Sequence, residues 1–203
     1  SRRQRQMCIR DRAICGYHGW HDWYLSANHN SKEKKGVLKD HLLPGLSTNG
    51  VPKNLRNTTY PFMFNDYKAL EAICNKHKIG VIKMEIFRNF PPKNNFLKKV
   101  RDLANKKNIT LIFDECTSGF RETFGGLHLK YKVNPDICIL GKALGNGFPI
   151  TTILGTKKTM EAAQNTFISS TFWTERNGYV AGLKTLEAVS YTHLRAHKTR
   201  HDL

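Results

Sequence analysis

Apolar positions in this chain gather in short runs of strand length, separated by stretches whose apolar residues recur at helical spacing. Ala13–Tyr17 is a short apolar run that ends toward Gly19 and an aromatic cluster, Trp20, Trp23 and Tyr24. Residues 27–60 are rich in Asn, Lys, Gly and Pro and read as a long irregular excursion, of the kind that is functional or covered by a partner. Asn65 or Asp66 can cap a helix that carries Leu70, Ile73 and Cys74 on one face. Ile79–Phe87 predicts a buried strand carrying Glu85 near its end, and Lys93–Lys107 a helix with Phe96, Leu97, Val100 and Leu103 inward. Ile109–Phe113 predicts a strand closed by Asp114 and Glu115, and Asp136–Leu140 one closed by Gly141 and Lys142. Ile150–Leu154 is a further strand, followed by a helix near Lys157–Gln164 and another from about Glu175 to Glu187. Apolar strands alternating with helices argue an α/β domain whose largely parallel sheet is covered on both faces.

In such sheets ligands collect at the carboxyl ends of the strands. Glu85, Asp114 and Lys142 all fall at such ends. None of them is informative alone; their shared placement is.

Composition narrows the classes. The 203 residues are 39% hydrophobic and 24% charged, which is globular rather than disordered. No apolar run reaches the length of a membrane span, and the first twelve residues lack the apolar stretch of a signal peptide. The five cysteines (Cys8, Cys15, Cys74, Cys116, Cys138) form no CxxC pair and share no metal-ligand spacing with the dispersed histidines, so no metal site is expected. Scattered single thiols fit a reducing, cytoplasmic compartment.

The net charge of +17 raises the question of nucleic acid. Both ends weaken it. Met7–Asp11 reads MCIRD and Val189–His193 reads VSYTH. One coding of the first, ATG TGT ATA AGA GAC, has a reverse complement that translates as the second. The pair resembles the transposase-end adapter of sequencing libraries, so residues 1–12 and 189–203 are expected to be adapter-like and non-native, with 13–188 as the body of the protein. Genuine basic tails are the alternative. Without the eight basic and two acidic residues of these stretches the charge falls to +11. The remaining lysines read as a solvated surface, and neither a nucleic-acid nor a membrane partner is expected.

Lys142 lies in LGKALGNG, directly after an apolar run and between glycines. A lysine that enters a desolvated pocket loses preference for the ammonium form, which suits imine formation with an aldehyde. A lysine beside glycines is also an ordinary turn residue. Asp114 ends LIFDE, and a carboxylate at the end of a buried strand needs a partner. A pyridinium nitrogen is one such partner. The other reading of LIFDE is the magnesium-serving strand of a nucleotide hydrolase, which also needs a GxxxxGK[ST] loop; this chain has none, since Ala143 follows Gly141-Lys142. Tyr17-His18-Gly19 sets an aromatic and an imidazole after an apolar run, suited to stacking on a flat cofactor or to ordinary core packing.

YHGWHD, MEIFRN, LIFDECTSGFR, NPDICILGKALGNGFP and SSTFWTERNG follow one another in an order and spacing that resembles the class-III (subgroup II) aminotransferases, in particular their glutamate-1-semialdehyde aminomutase-like branch. The resemblance covers residues 13–188. It implies the large domain of a fold-type-I enzyme, here incomplete, with pyridoxal 5'-phosphate as cofactor and a homodimer as the working unit. It implies Lys142 as the Schiff-base lysine, Asp114 as the partner of the pyridine nitrogen, and Tyr17 as the aromatic stacked on the ring, with His18 and Gly19 beside it. Glu85 matches the glutamate near the imine and the phenolic oxygen. Cys116 stands where valine usually lies beside the ring, and Thr171 matches the threonine that reaches the phosphate of the neighbouring subunit's cofactor.

The pattern departs from the family at Ile86, where proline commonly follows the glutamate. The upstream phosphate-holding segment and the C-terminal small domain of the family are not found in the chain. The expected activity is transfer of an amino group from a small-molecule donor to a carbonyl acceptor, or within one substrate. The alternatives are the nucleotide hydrolase and a truncated, non-catalytic product.

Overall fold

The computed structural model describes residues 11–30, 47–87 and 89–199. Among the described residues there are six strands: β1 (Asp11–Cys15), β2 (Thr59–Pro61), β3 (Ile79–Met84), β4 (Thr110–Glu115), β5 (Ile137–Leu140) and β6 (Thr152–Gly155). They form a mixed, mostly parallel sheet in the order β2-β1-β3-β4-β5-β6. The helices are α1 (Asp22–Leu25), α2 (Tyr67–Lys76), α3 (Phe96–Lys107), α4 (His128–Tyr131), α5 (Lys157–Ala163) and α6 (Arg176–Thr199). The α/β fold class expected from the alternating pattern is the one observed. The chain divides into two compact units, residues 1–112 and 113–203, with the division falling inside β4.

In the first unit β1 runs parallel to both β2 and β3, with Ile14 opposite Pro61 on one side and Lys83 on the other. Ala13, Ile14, Cys15, Ile82 and Met84 are almost wholly buried, as strands flanked on both edges require. α2 starts where Asp66 accepts a hydrogen bond from the Ala69 amide at 2.9 Å. Asn65 serves a different purpose: its side chain binds Lys93 N at 2.9 Å and Pro91 O at 3.1 Å. α3 begins at Phe96 rather than Lys93 because Asn94 and Asn95 adopt left-handed backbone, φ 52° and 56°. Its buried face is Phe96, Leu97, Val100, Leu103 and Ala104, the spacing predicted.

The excursion at 27–60 is less irregular than its composition suggests. Residues 31–46 lie outside the described ones. Beyond them Val51 is buried in a cluster with Ile14, Tyr24, Leu25 and Ala27, and β2 begins at Thr59 and pairs with β1. A three-residue strand is too short for periodicity to reveal it; only its partner strand makes it one.

In the second unit β5 and β6 are antiparallel, Ile137 opposite Gly155 and Leu140 opposite Thr152. Only Gly141–Thr151 separates them, with no crossover helix to reverse the chain, so the return is antiparallel. β6 is open, with Ile153 and Leu154 more than half exposed. α6 extends well past Glu187 to Thr199, since no glycine or proline interrupts residues 183–199. β1 likewise begins at Asp11, within the stretch read as adapter-like. Among the described residues no helix is long and apolar enough to cross a membrane.

Candidate active site

In the first unit the strand ends bring Tyr17, His18, Gly19 and Glu85 into one neighbourhood. The ladder continues past β1 and β3 through the Glu85 amide, which donates to Cys15 O at 3.0 Å. Gly16 follows at φ +116°, and a Cβ there would lie 2.8 Å from Glu85 Cγ. Glycine is therefore required at position 16 on two counts, backbone and space. Tyr24 is the buried anchor of this corner. Its hydroxyl donates to Gly16 O at 3.2 Å, and Tyr17 and His18 meet its ring edge-on at 5.8 and 6.0 Å. His18 is 4% exposed, whereas Tyr17 is 42% exposed and offers a ring face.

In the second unit the ends of β4 and β5 carry the rest. Asp114 and Glu115 were expected to follow β4; they are its last two residues. Consecutive strand side chains point to opposite faces, so the two carboxylates serve different surroundings. Asp114 is 9% exposed, and its Oδ1 accepts from the Cys116 amide at 3.4 Å. Glu115 is fully buried. It accepts from the amides of Leu127 and His128 (3.2 Å for the latter), from Ser118 Oγ at 3.1 Å and from Cys138 Sγ at 3.8 Å. His128 Nδ1 lies 2.5 Å from Glu115 Oε1, at hydrogen-bond distance. Burial first, and the Glu115 charge second, push the Cys138 thiol up to about 12.

Glu115, His128 and Cys138 have donor atoms within 4.8 Å of one another, a convergence that sequence spacing did not reveal. Two ligands of a tetrahedral zinc would stand about 3.3 Å apart, given bonds of roughly 2.0–2.1 Å. The 2.5 Å contact between His128 and Glu115 is instead a hydrogen bond. This trio is a structural anchor for the 116–128 loop. It also argues against the nucleotide-hydrolase reading of LIFDE, because the glutamate is fully occupied inside the protein.

Lys142 sits just after β5 at φ +43°, a left-handed conformation that a non-glycine residue adopts at a cost. The turn that holds it is closed by Leu144 N to Gly141 O at 3.0 Å and Asn146 N to Lys142 O at 2.9 Å. A Cβ at Gly141 would stand 3.2 Å from Cys116 Sγ and 3.1 Å from Thr151 Cγ2, so the two strand ends approach as closely as glycine allows. The desolvated surroundings expected for Lys142 are not found: the turn opens outward and the side chain is exposed. Its Nζ donates to Thr117 Oγ1 at 2.6 Å. Thr117 was passed over in the sequence, being a small polar residue in a turn with no spacing to single it out.

Amine, buried carboxylate and a close glycine approach at adjoining strand ends fit a cofactor that needs a lysine for attachment and an acid for its ring nitrogen. Thr171 is exposed in the turn 171–174. A cavity of about 600 Å³ in this unit is lined by Ile150, Ile153, Met160, Phe172, Trp173 and Tyr179, among others, and does not include Lys142 or Asp114.

Comparison with known proteins agrees with this geometry. The family description "Aminotransferase class-III" matches residues 13–201. A 3-aminobutyryl-CoA aminotransferase of Cloacimonas acidaminovorans is 37% identical over 183 residues, covering 85% of this chain and 39% of that protein. A glutamate-1-semialdehyde 2,1-aminomutase of Hyperthermus butylicus is 32% identical, covering 85% of this chain and 41% of its own length. This chain thus spans about two fifths of the curated relatives it matches. An omega-transaminase from Sphaerobacter thermophilus shares the fold, with a TM-score of 0.73 at 24% identity over 89% of this chain and 44% of that one.

Proposed function

The chain belongs to the class-III aminotransferases, and from that premise we propose that it is the lysine-bearing part of an enzyme that moves an amino group between small molecules, or within one, using pyridoxal 5'-phosphate. The observation that carries the reading is the second-unit constellation: Lys142 held in a left-handed turn at the end of β5, with Asp114 buried at the end of β4. Relatives of both kinds, an aminotransferase and aminomutases, support either outcome for the amino group.

The cofactor, when bound, supplies an electron sink that lets an amino group and a proton be exchanged at one carbon. The chain's own residues do the rest. Lys142 Nζ would hold the cofactor and, when released, would take up and return the proton at the reacting carbon. By family resemblance the Asp114 carboxylate would partner the ring nitrogen and keep it protonated. Cys116 would, by the same resemblance, lie beside the ring and offer it a soft, weakly polar edge. By family resemblance Tyr17 stacks on the ring, with His18 and Gly19 shaping that corner, and Glu85 lies near the phenolic oxygen. By the same resemblance Thr171 reaches the cofactor phosphate of a second subunit, which makes a homodimer the working unit.

Lys142→Ala in the holoenzyme is expected to abolish the borohydride-trappable cofactor adduct and to lower turnover by about 10²–10⁴-fold. Peptide mapping that finds the reduced adduct on another lysine would overturn the assignment.

A further inference from the structure

We propose that Thr117 is a positioning residue for Lys142: its hydroxyl accepts a hydrogen bond from Nζ and holds the amine in one rotamer whenever that amine is not covalently engaged. The inference rests on the reading of Lys142 above, and it adds a residue outside the set that sequence motifs single out.

The contact is 2.6 Å and joins side chains 25 residues apart. Both residues are exposed, and an exposed ammonium ordinarily keeps its hydration and samples many rotamers. A short, unshared contact persists in that setting only when both ends are fixed in advance, and here both are. On the Thr117 side, the carbonyl of the same residue accepts from Arg121 Nε at 2.6 Å, and Gly119 N returns to Glu115 O at 2.8 Å. The turn after β4 is therefore tied at Thr117 itself and to the buried Glu115 anchor behind it. On the Lys142 side, φ +43° and the two hydrogen bonds accepted by its carbonyl, from Gly145 N at 3.1 Å and Asn146 N at 2.9 Å, set the direction in which the side chain leaves the backbone. A Cβ at Gly141 would stand 3.2 Å from Cys116 Sγ, so the two turns lie close together.

A lysine that must release a group and then move a proton needs its freed amine to stay near the reacting carbon. A hydroxyl is suited to that task. It accepts from the ammonium, can donate to the neutral amine, and carries no charge that would trap the proton. A carboxylate in the same place would form an ion pair and hold the ammonium form. Fixing the geometry in advance removes an orientational cost at the proton-transfer step.

The test uses Thr117→Val, which keeps the shape and deletes the hydroxyl, and Thr117→Ser, which keeps the hydroxyl. In cofactor-free protein with ¹⁵N-labelled lysine, the Lys142 Nζ protons are expected to exchange with water more slowly than those of exposed Lys157. Thr117→Val should remove that protection, and Thr117→Ser should retain it. In the holoenzyme Thr117→Val should lower kcat about tenfold to a hundredfold, the worth of one hydrogen bond to a charged group, with KM little changed and the isotope effect on the transferred hydrogen increased. Thr117→Ser should restore most of kcat. Circular dichroism identifies a variant that fails to fold, in which case the serine variant and the wild-type exchange rate still decide. Unprotected Nζ protons in the wild type, or equal losses in the valine and serine variants, would overturn the proposal while a cofactor adduct on Lys142 left the family reading intact. An adduct on a different lysine would overturn both.

Discussion

Two neighbouring carboxylates at the end of β4 have opposite fates. Glu115 faces inward, fully buried, and its oxygens are taken by two backbone amides, a serine hydroxyl, an imidazole and a thiol. On the other face of the strand, Asp114 lies beside the turn that carries Cys116 and Thr117, the latter in contact with Lys142. Both are acids in the same dipeptide, yet Glu115 is taken up in holding the 116–128 loop, while Asp114 accepts from the Cys116 amide on the opposite face. The strand's alternation separates them. A buried charge is tolerable only where its hydrogen bonds are met, so the two faces are built by the same rule with different partners.

The comparison can be broken by exchanging the predicted consequences of the two residues. Glu115→Ala should cost the most, about 3–5 kcal/mol of folding stability, because it leaves the His128 ring and two amides facing a vacated site. Thermal or denaturant unfolding of the holoenzyme measures it, and a loss below about 1 kcal/mol would show that the cluster is not an anchor. Asp114→Asn should change unfolding little and lower turnover by about 10²–10³-fold, as removal of one preorganised electrostatic partner does. Near-normal turnover would mean that Asp114 serves some other partner. If instead Asp114→Asn unfolds the protein and Glu115→Ala spares it, the roles are reversed.

The mildest test leaves the chain unaltered and reads the two faces through their thiols. Cys138 lies on the anchored side with its thiol pushed up to about 12, and Cys116 lies on the Lys142 side, half-buried. Alkylation at pH 8 with peptide mapping should modify Cys116 well ahead of Cys138, whose thiolate fraction is about 10³-fold below that of an ordinary thiol. The same shift has a stability consequence of fixed sign. A thiol whose folded value is raised favours the protonated form in the fold, so its contribution is complete below about 9 and is lost as pH rises toward about 12. Unfolding temperature should therefore fall over that alkaline window, and less steeply in Cys138→Ser. Equal labelling of the two thiols would remove the contrast between the faces.

Much of this was legible in the residues. The helical spacing within Lys93–Lys107, a cap at Asn65 or Asp66, and the strand ends at or beside Glu85, Asp114 and Lys142 follow from periodicity and cap chemistry, which are local. The motifs around LIFDE and LGKALGNG mark the family. Less visible was anything that depends on a distant partner: β2 inside the 27–60 excursion, the meeting of Glu115 with His128 and Cys138, and Thr117 under Lys142.

That division has a physical origin. A sequence by itself determines which side chains can donate, accept or carry charge, and whether a stretch favours a pleat or a coil, because those properties depend on neighbours a few residues away. It does not determine which of Asp114 and Glu115 is consumed by the fold. That depends on a loop returning 12 residues later to present the Leu127 amide and, beside it, the His128 ring, and on β5 bringing Cys138 alongside. Only the closed tertiary structure brings those groups to one face of β4, with Asp114 on the other.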